Sequence, residues 1–277
     1  MDIKCIALDL DRTTLNAQGV LSPGNRKALE YAISKGVHII IASGRPFGAL
    51  PKDVLAVEGI EYAITSNGAA VYHIPTGKRL HGFTMTPDSV REILRLTQDE
   101  PVVYETFVNG IAYMDAALMR DPGAYGFGDR HSIAYLQATR RAQEDMSGFI
   151  EAHIHELDSF DLVFWNRDTA ARVGSLLREQ VPDIYSTSTI WQLLELSHKN
   201  AGKHSGVRFI TELLHLSPAQ TAAFGDGDND VEMLQYVGCG VAMANASPTA
   251  LAAADRITGD FDADGLAEGI YRLLDDN

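Results

Sequence analysis

Asp9 and Asp11 stand one residue apart at the end of the short apolar run Ile3–Leu8. Side chains alternate along a strand with period two, so this spacing predicts two carboxylates pointing the same way where strand pairing stops. Such a pair is costly to desolvate, and a fold keeps it when a cation neutralises it or when the carboxylates do chemistry. Three further segments carry the same kind of signal. Ser43-Gly44-Arg45 follows the apolar run Val37–Ala42; a hydroxyl beside unhindered backbone N–H groups suits an anion. Lys203 opens a segment of helical periodicity, and Gly225-Asp226-Gly227-Asp228-Asn229-Asp230 follows the strand-like Thr221–Phe224. That acidic loop lacks the twelve-residue ligand spacing and closing Glu of a calcium-binding loop.

Taken together, these residues suit phosphoryl transfer. Asp9 could attack phosphorus and form an aspartyl-phosphate. Asp11 could protonate the leaving oxygen and then deprotonate the attacking water. Asp9, Asp226 and a main-chain carbonyl could hold Mg2+, while Ser43 and Lys203 hold the phosphoryl oxygens.

Positioning these groups requires an alternating framework. Val37–Ala42 and Glu61–Ser66 read as buried parallel strands. Ser22-Pro23 starts a helix with an apolar face of Ala28, Leu29, Ala32 and Ile33, and Gly36 ends it. Residues 69–83 read as a hairpin around Pro75. From residue 84 the texture changes to a block of its own, with a hairpin turning at Asn109-Gly110 and a glycine-rich loop over 119–132. The βα rhythm resumes near residue 190. The prediction is an α/β chain in which a doubly wound parallel sheet is interrupted by an inserted α+β domain, divided as 1–83, 84–189 and 190–277.

The bulk properties narrow the partners. The chain has 277 residues, a net charge of −14 and only Cys5 and Cys239 as cysteines. Its acidity disfavours nucleic acid and anionic membranes. An anionic substrate therefore needs a local positive spot, from a divalent cation and a few basic residues. No secretory signal or membrane-spanning run is visible, so a soluble cytoplasmic protein is expected; the oligomeric state is left open.

The motifs Asp9–Leu15, Ala42–Arg45, the Lys203 helix and Gly225–Asp230 in this order resemble those of the haloacid dehalogenase superfamily of phosphatases. Only 31 residues separate Asp11 from Ser43, whereas Ser43 and Lys203 lie 160 apart, so a large cap must fall in the second interval. With Ser66–Ala69 and Gly240–Ala246, this layout is similar to the Cof-type group, subclass IIB. The resemblance implies a Rossmann-like core with an inserted C2-type cap that closes over the cleft. It implies Asp9 as nucleophile and Asp11 as acid/base. Mg2+ would be held by Asp9, the Asp11 carbonyl and Asp226, with Asp230 as a direct or supporting acidic partner. Thr13, Ser43, Gly44, Lys203 and Asn229 would lie on the phosphate side, with Asn245 nearby, and Asp228 would be loop surface. The substrate would be a small phosphorylated metabolite, a sugar phosphate or similar. A phosphomutase on the same core would need added bisphosphate; a non-catalytic phosphate or metabolite sensor would hold a stable aspartyl-phosphate.

Two positions depart from that pattern. Arg12 replaces the usual Gly after the second aspartate, and Thr14 replaces the following Leu. Arg12 would either contact an anionic part of the substrate or point to solvent from a tolerated turn, the second being the favoured reading. In the cap block Tyr104, Glu105, His131 and Trp165 read at least as well as packing or surface groups as substrate contacts.

Overall fold

A computed structural model describes residues 2–128, 130–188 and 190–275; the side chains of Arg130 and His131, the latter named above, lie outside the described residues. The chain divides into two compact units. One comprises Met1–Arg45, Leu50–Gly82 and Gly202–Asn277; the other Pro46–Ala49 and Phe83–Ala201.

The strands are β1 (Cys5–Leu8), β2 (His38–Ala42), β3 (Ile60–Thr65), β4 (Ala70–His73), β5 (Lys78–Gly82), β6 (Val103–Val108), β7 (Ile111–Asp115), β8 (Arg140–Gln143), β9 (Leu157–Val163), β10 (Ile184–Thr187), β11 (Leu193–His198), β12 (Thr221–Gly225), β13 (Cys239–Ala242) and β14 (Arg256–Ile257). The first unit holds an eight-stranded sheet ordered β14-β13-β12-β1-β2-β3-β4-β5. Its strands are parallel from β14 to β3, and the β4–β5 hairpin adds two antiparallel strands at one edge. The chain thus runs outward from β1 in one direction and returns on its other side at β12. That reversal is where ligands bind in open α/β sheets, outside the carboxyl ends of the strands. β1 and β12 are buried throughout, as strands covered on both faces must be. The first helix, Pro23–Ser34, is capped by Ser22, whose hydroxyl accepts from Asn25 N at 3.0 Å, and buries Ala28, Leu29 and Ala32.

The second unit has a six-stranded sheet ordered β10-β11-β9-β6-β7-β8. The β6–β7 turn has Asn109 at φ +51° and Gly110 at φ +76°, the two left-handed positions that an Asn-Gly hairpin supplies. One sheet face packs Phe160, Leu162, Phe164, Leu194 and Leu196 against the helices Pro87–Thr97, Met146–Ala152 and Arg167–Gln180. In-register pairing lines up Glu105, Asp161 and Glu195 across β6, β9 and β11, all buried. Arg140 Nε donates to Glu105 Oε1 at 2.7 Å.

Two expectations change. The return to the first unit comes at Gly202, not residue 190, because β11 pairs antiparallel with β9 and β10 and buries Leu194 and Leu196 in the second core. The stretch 119–132 is not all loop: a helix runs over Ala116–Arg120, a 3-10 turn follows over Pro122–Tyr125, and another helix begins at Arg130. Tyr104 and Glu105 are packing groups; the Tyr104 hydroxyl bonds Thr97 Oγ1 at 2.8 Å and its ring meets Phe160 edge-on. Trp165 is 38% exposed and meets Tyr125 edge-on. Among the described residues, no helix is long and apolar enough to cross a membrane.

Candidate active site

β1 and β12 end together: Leu8 pairs with Phe224, and Asp9 N donates to Phe224 O at 3.0 Å. Register alone therefore brings Asp9 and Asp226 side by side. After Asp9 the chain winds into a tight turn over Leu10–Thr14. Thr14, the departure from the usual Leu, is used here: its hydroxyl donates to Asp9 O at 2.5 Å and its own carbonyl accepts from Asn25 Nδ2 at 3.0 Å.

The turn separates the two leading aspartates, which do not point the same way because the strand stops at Leu8. Asp9 is buried and accepts Lys203 Nζ at 2.6 Å. The Asp11 side chain is 56% exposed and is gripped by both arms of Arg45, with Nε on Oδ2 at 2.9 Å and a terminal nitrogen on Oδ1 at 2.5 Å.

Lys203 is almost completely buried and also donates to Asp230 Oδ1 at 2.7 Å. The other oxygen of Asp230 accepts from Asp226 N at 3.0 Å and Gly227 N at 2.9 Å, so this carboxylate staples the acidic loop. Gly225 makes the fold-back possible, since a Cβ there would sit 2.5 Å from the Asp230 carboxyl carbon. Asp9, Asp226 and Asp230 bring ligand oxygens within 4.8 Å of one another. Three hard oxygen donors at that separation fit Mg2+ or a similar divalent ion.

The electrostatics show a shortage of positive charge. Burial pushes Asp9 well above the usual carboxylate range; Lys203 opposes this, and Asp230, Asp226 and Asp11 reinforce it. Burial and then Asp230 push Asp226 up to about 7. Burial alone would lower Lys203, but Asp230 and Asp9 reverse that and hold it above the ordinary lysine range. The ammonium of Lys203 pairs directly with two of the three carboxylates, Asp9 and Asp230.

Ser43 is buried after β2; its hydroxyl accepts from Arg45 N at 3.1 Å, closing the turn that carries Gly44. Ser43 O accepts from Asn67 N at 3.1 Å, and Asn67 O accepts from Gly202 N at 2.7 Å. Asn67 Oδ1 accepts from Asn229 Nδ2 at 3.0 Å. The Ser66-Asn67-Gly68 turn thus ties together the Ser43 turn, the start of the Lys203 helix and the acidic loop. Ser66 and Asn67 both have φ +51°, and a Cβ on Gly68 (φ +91°) would lie 2.1 Å from Gly202 O.

Every residue of the expected set is in the first unit. The structure places Thr13 on Asp226, its hydroxyl donating to Oδ1 at 3.4 Å, and Asn229 on Asn67. Asn245 Nδ2 reaches Arg12 O at 3.0 Å and Asp226 Oδ2 at 3.3 Å. Asp228 is exposed on the loop and accepts from Ser247 Oγ at 2.6 Å and from the Thr249 hydroxyl at the start of the helix Pro248–Ala253. Arg12 is 63% exposed but does not simply point to solvent; its Nε lies 3.6 Å from Asp226 Oδ2. Sequence reasoning gave no role to Arg45 or Asn67. Both stood in the quoted motifs, as polar residues directly after buried strands.

Residues 6–270 match the haloacid dehalogenase-like hydrolase family. The chain belongs to that family. Among its relatives, Phosphatase YwpJ of Bacillus subtilis (strain 168) is 29% identical over 294 residues, covering 98% of this chain and all of that one. A haloacid dehalogenase-like hydrolase from B. subtilis superposes with a TM-score of 0.84 at 26% identity, covering 98% of this chain and 100% of the other. The fold is also that of the HAD subclass IIB sugar phosphatase BT4131, with a TM-score of 0.79, 20% identity and 98% of each chain covered.

Proposed function

We propose that this hydrolase is a Mg2+-dependent phosphatase that releases phosphate from a small phosphorylated metabolite, a sugar phosphate or similar, through an aspartyl-phosphate on Asp9. The observation that carries this reading is the cluster of Asp9, Asp226 and Asp230 at the carboxyl ends of neighbouring parallel strands, with Asp9 and Asp230 both held by the buried ammonium of Lys203. Such a charge deficit suits a site that takes up a cation and acts on an anion. The similarity to YwpJ, a named phosphatase, agrees with it.

In the proposed reaction an Asp9 carboxylate oxygen attacks phosphorus. The bond from phosphorus to the leaving oxygen breaks, and Asp11 supplies that oxygen's proton. Asp11 then takes a proton from water, whose oxygen attacks the phosphoryl group, releasing inorganic phosphate and restoring Asp9. Lys203 fixes the orientation of Asp9, and Arg45 fixes where the Asp11 carboxyl sits. The Ser43 hydroxyl and the backbone N–H of Gly44 hold the phosphoryl oxygens. Thr13 and Asn229 complete the phosphate side, each already oriented by a bond to Asp226 or Asn67. Asp9, Asp226 and the Asp11 carbonyl would hold Mg2+, with Asp230 behind them; bound there, the ion offsets the repulsion between an anionic nucleophile and an anionic phosphate. Cys5 and Cys239 are free buried thiols, which suits the cytoplasm.

The test is a phosphate-release screen over sugar phosphates, nucleotides and pyridoxal phosphate, with Mg2+ or with chelator. Release from at least one sugar phosphate that chelator abolishes is expected. Release indifferent to chelator, or none across the panel, would overturn the proposal.

A further inference from the structure

Arg12 stands in a left-handed backbone conformation, φ +60° and ψ +18°, where the resembling motif carries glycine. A non-glycine residue takes that conformation at a cost, and it persists where the surroundings over-determine it. Here they do. The Arg12 carbonyl accepts from Asn245 Nδ2 at 3.0 Å, and the same nitrogen lies 3.3 Å from Asp226 Oδ2. Asn245 Oδ1 in turn accepts from Phe261 N at 3.1 Å. The Arg12 guanidinium sits 5.8 Å from the centre of the Phe261 ring, and its Nε lies 3.6 Å from Asp226 Oδ2. Arg12, Asn245 and Phe261 therefore form one frame around the Asp226 carboxylate. Lys203 reaches Asp9 and Asp230, so Arg12 supplies the positive charge on the Asp226 side.

We infer that Arg12 is a resident cation that weakens the hold of this site on its divalent metal ion. This rests on the metal reading proposed above. Two effects act in the same direction. Arg12 relieves part of the charge deficit of the metal-free site, and that relief is lost once a metal takes up Asp226. A fixed positive charge beside a bound divalent ion also repels it. The size is bounded by exposure: the Arg12 side chain is 63% exposed, so water and salt screen the interaction and the effect is a moderate factor. The device raises the concentration of free metal at which the site fills. It also leaves an acidic loop in a protein of net charge −14 with a counter-charge when no metal is bound.

The test is calorimetric titration of Mg2+ into substrate-free protein at low and high ionic strength. Arg12→Gln removes the charge while keeping a long side chain and the same backbone demand. It is expected to bind Mg2+ about three- to tenfold more tightly than the unmodified protein at low salt, with the gap narrowing as salt rises. Arg12→Asn, a residue at ease in left-handed backbone, is expected to tighten binding likewise, which separates charge from strain. Arg12→Lys is expected to stay near the unmodified protein, and Asp226→Asn to lose binding. Equal or weaker Mg2+ binding in both neutral variants overturns the inference while leaving the metal site standing. No Mg2+ binding by the unmodified protein overturns the metal reading and this inference with it.

Discussion

Asp9 and Asp11 are one residue apart in the chain and lie in different surroundings. Asp9 lies inside with Lys203, whereas Asp11 lies on the rim in the fork of Arg45. The division gives Arg45 a testable role. If it positions Asp11 as the proton donor, its loss will matter only where the leaving oxygen needs a proton. Arg45→Gln is expected to slow hydrolysis of an alkyl phosphate by about 10–100-fold, part of the contribution typical of general acid catalysis, and p-nitrophenyl phosphate by less than about threefold. A uniform loss across both leaving groups would contradict the assignment. Asp9, Ser43, Lys203 and Asp226 were legible in the sequence because each follows a strand end or opens a helix, in fixed order. The divergence of Asp9 and Asp11 was not, since it depends on the strand stopping at Leu8. Nor was the work of Arg45 and Asn67, because their partners lie 34 and 162 residues away.

At the scale of elements, the short turn Ser66-Asn67-Gly68 is a strut on which three motif loops lean. The nearest atoms that a Cβ on Gly68 would meet are all backbone, the O, C and N of Gly202, with no flexible side chain to give way. Gly68→Ala is expected to displace the start of the Lys203 helix and to cost about 2–4 kcal/mol, read as a fall in denaturation midpoint together with lost turnover. Unchanged stability would show that the strut is dispensable. In the second unit, burial and then the charges of Glu105 and Glu195 hold Asp161 well above the usual carboxylate range. The folded state then keeps a proton that the unfolded chain releases above its ordinary value near 4, so this group's contribution to stability falls as pH rises between those two values. Asp161→Asn keeps an oxygen for the Ser159 hydroxyl and Leu196 N and is neutral at every pH. It is expected to raise the melting temperature by about 2–5 °C at pH 8 and to have little effect near pH 4.5. A variant less stable at pH 8 would contradict this. The alternation of strands and helices was plain in the sequence, as was the Asn109-Gly110 hairpin. The end of the second unit was not: Leu193–His198 reads as a strand without showing which sheet it joins, and its antiparallel partners β9 and β10 assign it to the second.

The whole molecule is a strongly acidic chain whose site lacks positive charge. A divalent ion that binds the folded state alone stabilises it by mass action. Mg2+ at about a hundred times its dissociation constant is therefore expected to raise the melting temperature by several degrees, and Asp226→Asn to abolish the rise. A melting temperature indifferent to Mg2+ would remove the cation from the account. The proposed aspartyl-phosphate on Asp9 can be trapped. The protein is mixed with a radiolabelled phosphate ester that it hydrolyses, quenched in acid within one turnover and digested. Label is expected on the peptide that carries Asp9, with neither label nor turnover in Asp9→Asn. Undiminished phosphate release by Asp9→Asn, or label on any other residue, would contradict the proposal.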